Sequence, residues 1–165
     1  MPNHVHLVAI PETGDDLRLA IGEAHRRYTR YINFREGWRG HLWQGRFSYF
    51  IMQQSYLLAR TKYIELNPIR AGLVQKPQKW PWSSAGPHLK GRDEVLVTVK
   101  PLLEMVSTSW KRFLSTCARE HEIDILKKHE RTGRPLGEDG FVETLETLLN
   151  RKLKCQKPGP KKKVQ

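Results

Sequence analysis

The first ten residues constrain the fold more than any other part of the chain. Residues 4–10 are rich in aliphatic side chains, a composition that favours a β-strand, and Pro11 ends the segment. Because successive side chains of a strand point to opposite faces, His4 and His6 project from the same face. Two imidazoles so placed can hold a divalent cation, whereas two histidines near a terminus can also simply face solvent. The segment therefore predicts a sheet that carries a candidate metal site.

The composition limits the class of protein and its partners. The chain has 165 residues, which suits one domain of ordinary size with an appendage. Its 29 Lys and Arg against 17 Asp and Glu give a formal charge of +12, which favours a polyanion such as nucleic acid. No apolar run approaches the roughly 18 residues of a membrane span, and we expect no secretory signal. Cys117 and Cys155 are isolated, so we predict neither a disulfide nor a zinc site and expect a cytoplasmic protein.

Helical periodicity appears in two long segments. Asp15 or Asp16 can cap the first predicted helix, which runs to about Phe34. The second is predicted over 53–66 and is closed by Asn67-Pro68, because proline disfavours helical geometry in the residue before it. The other predicted elements are a strand over 42–52, a connector over 76–87, a short strand or helix start over 95–99, and helices over 102–106, 110–121 and 141–149.

The first helix also carries a group of basic side chains that lie largely off its apolar stripe. These are Arg18, Arg26, Arg27 and Arg30. Such a charge run is usually a solvated helix face, and a phosphate-facing surface is the functional alternative.

The second helix carries the residues that are richest in chemistry. At about 100° per residue, one stripe holds two phenols, a guanidinium and an amide, from Tyr56, Arg60, Tyr63 and Asn67. Amphipathic packing would produce the same stripe. A tyrosine oxygen can also attack a phosphodiester and become joined to the phosphate, while a nearby divalent cation screens the developing charge. Asn67 then suits either a third metal ligand or a helix-terminal cap, and Glu65 falls on a different, structural or solvent-facing side.

Longer motifs connect the histidine pair with the tyrosine helix. The segments Met1-Pro-Asn-His-Val-His-Leu7 and Tyr63-Ile-Glu-Leu-Asn-Pro-Ile-Arg-Ala-Gly-Leu-Val74 resemble the REP-associated tyrosine transposases. These are single-tyrosine transposases of the HUH superfamily, named after a histidine, hydrophobic, histidine motif. Segments 40–47, 80–84 and 133–137 fit the same pattern in the same order, so the resemblance extends over nearly the whole chain.

The resemblance implies an α+β fold, namely a ferredoxin-like antiparallel sheet with packed helices and the histidine pair on a central strand. It implies a DNA transposase in which Tyr63 cleaves single-stranded hairpin DNA, forming a 5′-phosphotyrosine and releasing a 3′-hydroxyl. His4, His6 and Asn67 would bind Mg²⁺ or Mn²⁺. We expect such a protein to be associated with the nucleoid, without membrane contact, as a monomer or a homodimer.

The same resemblance suggests how the chain is organised. Residues 1–90 are predicted to form the transposase domain, 91–151 a helical region, and 152–165 a disordered basic tail with six lysines. Family members usually carry a further strand and helix before the Met-Pro-Asn-His segment. We therefore expect a domain that is incomplete at its N-terminus, through a misassigned start codon or a decayed gene. A non-catalytic DNA-binding remnant is the alternative function.

Basic side chains are the predicted DNA contacts. Arg60 lies in the tyrosine stripe, whereas Arg46 suits either a phosphate contact or an outward polar position on a strand. Arg70 suits either a phosphate or an ion pair. Tail lysines are expected to attract phosphates without sequence preference, and they are Lys161, Lys162 and Lys163. We also expect Trp80 and Trp82 to pin the connector to the domain and His88 to be an ordinary polar residue.

Overall fold

The computed structural model describes residues 1–116, 120–155 and 159 of the chain. Its regular elements are helices joined by turns and irregular segments. The α-helices are α1 (Asp16–Glu36), α2 (Leu57–Arg70), α3 (Ala85–Lys90), α4 (Lys100–Leu103), α5 (Trp110–Ser115), α6 (Glu120–Thr132) and α7 (Asp139–Leu149), with 3₁₀ turns at Gln54–Tyr56 and Pro77–Lys79. Within these residues, every helix is too short or too polar to cross a lipid bilayer.

The predicted ferredoxin-like antiparallel sheet is wrong, because the described residues form helices and contain no strand. Residues 4–10 are irregular, and the side chains of Val5, Leu7 and Ile10 are exposed. An aliphatic run becomes a strand only when a neighbouring segment pairs with its N–H and C=O groups. In the described part of the chain, residues 4–10 have no such neighbour, so their composition alone does not produce a strand.

The second predicted strand, over 42–52, is reduced to one isolated bridge near its end. Met52 and Leu136 are bridged in parallel, and the Leu136 N–H donates to the Ile51 carbonyl at 2.8 Å. The Gln53 N–H donates to the Leu136 carbonyl, also at 2.8 Å. This contact holds the segment that follows α6 against the segment that leads into α2.

Packing divides the chain into two compact units. The smaller unit is His6–Tyr49, and the larger comprises Met1–Val5 with Phe50–Gln165. The smaller unit is built on α1, which confirms the helix predicted from Asp15 or Asp16 to about Phe34 and extends it to Glu36. The helix ends because Gly37 adopts φ 67°, a left-handed conformation that glycine reaches without steric cost.

A loop after α1 folds back onto the helix. The Trp43 ring stacks on His25 with centroids 4.0 Å apart, and its indole N–H donates to the His25 carbonyl at 3.2 Å. The Asn33 side-chain amide donates to the Gly40 carbonyl at 2.8 Å. These contacts give α1 a local partner within its own unit, which an isolated helix would lack.

The larger unit is organised around α2, which buries two of its sides. On one side Tyr63 packs with Leu126 and Leu136 in an apolar cluster, flanked by Phe50, Met52, Tyr56, Ile64 and Ile125. On another side Glu65 contacts α3 and α5. Helix α2 therefore connects the two halves of the core of this unit.

Helix α2 continues past the point where the sequence predicted its end. Pro68 lies inside the helix, which ends at Arg70, and the Ala71 N–H donates to the Asn67 carbonyl at 3.0 Å. A proline this close to the C-terminus of a helix removes a single N–H donor, so the last turn survives. The prediction that Asn67-Pro68 closes the helix is wrong, and the helix-terminal cap proposed for Asn67 is not formed there.

Short helices follow where the sequence predicted a connector and a second helical region. The connector 76–87 contains a 3₁₀ turn and the start of α3. Residues 95–99 lead into α4, which is shorter than the helix predicted over 102–106, and α7 matches the helix predicted over 141–149. The helix predicted over 110–121 is divided between α5 and α6, with residues 117–119 outside the described part.

Candidate active site around Tyr63

Tyr63 lies near the middle of α2, and its side chain is only 8% exposed. Its ring packs against Leu126 of α6 and Leu136, the residue held by the bridge to Met52. The sequence predicted that this helix presents the phenol to a reaction site. The structure packs Tyr63 into the core instead, which restricts the access of a substrate to the phenol.

Two guanidinium groups lie over the Tyr63 ring. The Arg70 Cζ atom is 4.2 Å from the ring centroid, and the Arg60 Cζ atom is 5.2 Å from it. Helix geometry explains this arrangement, because residues three, four and seven apart share one face. The structure therefore brings together three residues of the predicted stripe, Arg60, Tyr63 and Asn67, and places the fourth, Tyr56, in the adjoining apolar cluster. It adds Arg70, which the sequence placed just beyond the helix.

Arg70 is the cation best placed to serve a phosphate. Its Nη2 atom donates to the Tyr63 carbonyl at 2.5 Å and to the Asn67 side-chain oxygen at 3.3 Å, which orients the guanidinium over the ring. The side chain reaches solvent, yet partial burial lowers the pKa of the Arg70 guanidinium, and the neighbouring Tyr63 opposes that shift. No carboxylate of the described residues forms a salt bridge with Arg70, so none of them neutralises its charge.

Arg60, unlike Arg70, is buried and forms an ion pair. Its side chain is buried, it pairs with Glu130 of α6 at 3.4 Å, and its guanidinium lies 5.5 Å from the Phe50 ring centroid. A buried guanidinium that is already paired with a carboxylate ties α2 to α6 more than it serves a ligand. The DNA contact predicted for Arg60 therefore competes with a structural role.

The three predicted metal ligands belong to both units: His4 and Asn67 to the larger, and His6 to the smaller. The exposed His4 ring has its Nδ1 atom 2.8 Å from the Asn3 side-chain oxygen, and the Asn67 oxygen accepts from Arg70. The described residues contain no group of three His, Cys, Asp or Glu side chains that could hold a metal. Imidazole nitrogens and an amide oxygen suit Mg²⁺ or Mn²⁺ by donor type, so the ligand set His4, His6 and Asn67 stays a prediction from the motif.

The remaining predicted DNA contacts lie elsewhere. Arg46 is exposed in the smaller unit, which is compatible with either of its two predicted roles. The three tail lysines, Lys161, Lys162 and Lys163, lie outside the described residues, as does most of the predicted disordered tail.

Sequence patterns missed a buried polar network on the other side of α2. The Glu65 side chain is 0% exposed and accepts hydrogen bonds from Ser84 Oγ and from the Trp110 indole N–H, both at 2.8 Å. It also contacts Nδ1 of the buried His88 at 2.6 Å, and the His88 and Trp110 rings stack with centroids 4.5 Å apart. One feature of the sequence could have indicated this burial. Glu65 lies four residues after Thr61, which was assigned to the core side of the helix, so the two side chains share a helix face.

Two expectations are corrected on this side of α2. His88 was predicted to be an ordinary polar residue, but it is buried beside Glu65, and its Nε2 atom has no hydrogen-bond partner among the described residues. Trp82 does not pin the connector, since its side chain is largely exposed, whereas the Trp80 indole nitrogen is buried. The network joins α2, α3 and α5 and thereby fixes the helix that carries Tyr63.

The geometry defines a candidate site for phosphoryl transfer, in which one tyrosine lies beside two cations. Two curated proteins are similar to this chain. One, from Haemophilus influenzae (strain ATCC 51907 / DSM 11121 / KW20 / Rd), is named provisionally as a REP-associated tyrosine transposase and is 28% identical over 95 residues, or 51% of this chain and 54% of that protein. The other, the REP-associated tyrosine transposase of Escherichia coli (strain K12), is 25% identical over 85 residues, or 51% of this chain and 49% of that protein.

These similarities confirm the resemblance to REP-associated tyrosine transposases that the motifs indicated. The chain spans about half the length of the curated relatives it matches. No family model and no solved structure matches the chain. The relatives therefore support a transposase at the level of the family, and the site residues rest on this sequence and its geometry.

Proposed function

We propose that this protein is a tyrosine transposase that cleaves and rejoins single-stranded DNA through Tyr63. The observation that carries the proposal is the guanidinium of Arg70, whose Cζ atom is 4.2 Å from the Tyr63 ring centroid and which forms no salt bridge among the described residues. It lies on the helix that the family motif selects. A scissile phosphate beside the tyrosine would meet a positive charge that no acidic side chain of the described residues neutralises. The names of the two curated relatives support the same class of enzyme.

The proposed reaction follows from these groups. The Tyr63 phenol releases its proton to solvent as its oxygen attacks the phosphorus. A bond forms between them, and the bond from phosphorus to the 3′-oxygen breaks. The tyrosine keeps the 5′-phosphate, and the released oxygen takes up a proton to become a 3′-hydroxyl. Arg70 stabilises the negative charge that develops on the non-bridging oxygens. Rejoining reverses the same steps with a 3′-hydroxyl as the nucleophile.

A divalent cation is part of this proposal through the motif residues His4, His6 and Asn67. When bound, Mg²⁺ or Mn²⁺ would supply Lewis-acid polarisation of a phosphate oxygen. The donor types fit either ion, and Mn²⁺ suits the two imidazoles at least as well as Mg²⁺. Hairpin DNA as the substrate and association with the nucleoid belong to the same proposal.

A second candidate function is a non-catalytic DNA-binding protein. The observation that favours it is the burial of Tyr63 against Leu126 and Leu136, which leaves 8% of the residue exposed. Catalysis requires the phenolic oxygen to meet the phosphate, so this packing must open at the phenol for the reaction to proceed. A protein that only binds DNA has no such requirement.

The decisive experiment compares Tyr63→Phe with the matched variant Tyr56→Phe. A labelled single-stranded hairpin is incubated with each protein and Mn²⁺, Mg²⁺ or EDTA, and covalent adducts are separated on a denaturing gel. We expect an adduct with the wild type and Tyr56→Phe, and none with Tyr63→Phe, because that ring keeps its packing but has lost its oxygen. We also expect no adduct with His4→Ala, with His6→Ala or in EDTA.

The other outcomes discriminate between the candidates. An adduct that persists in Tyr63→Phe and disappears in Tyr56→Phe would assign the nucleophile to Tyr56. Hairpin binding by the wild type without an adduct under any condition would select the non-catalytic protein. Full activity in EDTA would remove the metal from the proposal and leave Tyr63 in place.

A further inference from the structure

The C-terminal half of α1 carries an exposed face that the tyrosine site does not use. Three guanidiniums and two aromatic rings line an open depression of about 640 Å³, and they belong to Arg26, Arg27, Arg30, Tyr31 and Phe34. Phe34 is 91% exposed and Tyr31 is 58% exposed. Single exposed apolar side chains are common, but two adjacent exposed rings surrounded by arginines form a distinct surface.

Helix geometry explains why these side chains meet. Arg27, Arg30, Tyr31 and Phe34 follow the spacing i, i+3, i+4 and i+7, which places them on one face over about two turns. The opposite side of the helix buries Ile32. The face is therefore continuous along roughly 10 Å of helix. Its two rings lie between Arg30 and Arg35, whose Cζ atom is 5.6 Å from the Tyr31 ring centroid.

The charge of this face is net positive, because its three guanidiniums have one carboxylate among the described residues. The Glu23 carboxylate accepts from Arg26 at 2.6 and 2.7 Å and from Arg27 at 2.7 Å, so one acid serves two cations. Hydrogen bonds from Arg26 and then from Arg27 lower the pKa of Glu23 to about 2, which keeps it ionised. Among the described residues, Arg30 forms no ion pair, so the centre of the face has an uncompensated charge.

We propose that this face of α1 binds single-stranded DNA, with bases stacked on Tyr31 and Phe34 and phosphates beside Arg27 and Arg30. This inference rests on the proposed function and adds a second contact for the same substrate. Aromatic rings interleaved with cations are the pattern that single strands need, because stacking accepts any base and the cations follow the backbone. A paired duplex offers no free base faces to these rings.

The charges also argue against an apolar protein as the occupant. Such a partner would cover two guanidiniums that share one carboxylate and a third that forms no ion pair among the described residues, and burying a charge without a counter-charge is costly. A polyanion instead supplies the missing negative charge. The exposed Arg18, which lies more than two turns away on α1 and pairs with Asp15 at 3.1 Å, offers a matched control on the same helix.

The test measures equilibrium binding of a fluorescein-labelled 20-nucleotide thymidine strand in EDTA across a salt series. Phe34→Ala should weaken binding roughly tenfold at every salt concentration, because base stacking on one ring is lost. Phe34→Trp should bind like the wild type, and Phe34→Leu like the alanine variant. Arg30→Ala should reduce the slope of log affinity against log salt by about 0.7, the amount expected for one phosphate contact. Arg18→Ala should leave the affinity and the slope unchanged.

Three results would overturn the inference. One is wild-type affinity in both Phe34→Ala and Arg30→Ala, with helicity by circular dichroism unchanged. Another is equal binding by Phe34→Leu and the wild type, which would indicate a merely apolar contact and favour a protein partner. The third is an equal loss for blunt duplex DNA and for the single strand.

The inference and the proposed function can fail separately. A Tyr63 adduct formed by a wild type whose α1 variants bind normally would refute only the α1 surface. Binding that depends on Phe34 and Arg30, without an adduct at Tyr63, would refute only the catalytic proposal.

Discussion

Replacing Glu65 tests whether its buried network holds the tyrosine helix in place. Glu65 is fully buried, and its two oxygens accept from Ser84 and Trp110 and contact His88. Glu65→Ala removes the carboxylate that all three side chains contact. The Ser84 hydroxyl can rotate towards another acceptor, but the indole and imidazole N–H groups are fixed by their rings.

The expected cost follows from those two donors. A buried donor left without an acceptor costs about 1–3 kcal/mol, so two of them cost about 4 kcal/mol, a large part of the roughly 5–15 kcal/mol by which a domain is stable. With a urea dependence of about 2 kcal/mol/M, the unfolding midpoint should fall by about 2 M. The cavity left by the deleted side chain adds to this loss.

Glu65→Gln should cost much less, about 1–2 kcal/mol. The glutamine oxygen can accept from Trp110, while its amide can donate to Ser84 and to His88 Nδ1 if the imidazole proton moves to Nε2. Urea unfolding of the wild type and both variants, followed by far-ultraviolet circular dichroism at 25 °C, measures the three midpoints. Glu104→Ala is the matched control, because Glu104 is exposed and its 3.7 Å pair with Lys100 is solvated, so the midpoint should not move.

Two results would refute this reasoning. An Ala variant with the wild-type midpoint would mean that the three donors find other partners or water. A Gln variant as unstable as the Ala variant would mean that the negative charge itself, and not the hydrogen-bond geometry, stabilises the network.

Two further predictions concern the arginines. Arg70→Ala should slow formation of the Tyr63 adduct by roughly 10- to 100-fold, since a charge-assisted contact worth about 1.5–3 kcal/mol is lost, and Arg70→Lys should restore only part of the rate, because a lysine cannot reproduce the planar donor geometry. Single-turnover adduct rates measure both, and a wild-type rate in Arg70→Ala would exclude the phosphate contact. The second prediction is that Glu23 titrates near pH 2, because hydrogen bonds from Arg26 and then Arg27 lower its pKa from an ordinary 4.5. Because the folded state favours the ionised Glu23 carboxylate, its contribution to the free energy of unfolding is complete above pH 4.5 and is lost as the pH falls towards 2. A carboxylate titration by nuclear magnetic resonance should show that midpoint, and Arg26→Ala should move it upward; an unchanged midpoint in that variant would contradict the assigned cause.

The longest helix and most of the composition of the tyrosine site were predictable from local pattern. Apolar spacing located α1 to within two residues of its end, and a stripe at helical spacing correctly grouped Arg60, Tyr63 and Asn67. Both predictions depend on the geometry of a single helix, in which sequence spacing determines the face. The motifs around residues 1–7 and 63–74 likewise identified the family that the curated relatives resemble.

Strand pairing and side-chain burial depend on contacts between residues far apart in the chain. The sequence did not predict either of them correctly at residues 4–10 or at Glu65. The aliphatic run at residues 4–10 favoured a strand, yet a strand exists only with a partner, and the described residues provide none. A glutamate on α2 looked structural or exposed, whereas its full burial required donors from Ser84, His88 and Trp110, which lie 19 to 45 residues away.

The sequence by itself determined α1 and α7, the tyrosine stripe, the basic charge and the family resemblance, because each of these is a local or additive property of the chain. Only the tertiary structure decided that Tyr63 is packed beneath Arg70 and against Leu126 and Leu136, and that Glu65 is a buried acceptor. The physical reason is that a side chain is buried, and a buried polar group is satisfied, by whichever atoms the fold brings to it. Those atoms come from segments far apart in the chain, and no spacing rule along one helix specifies them.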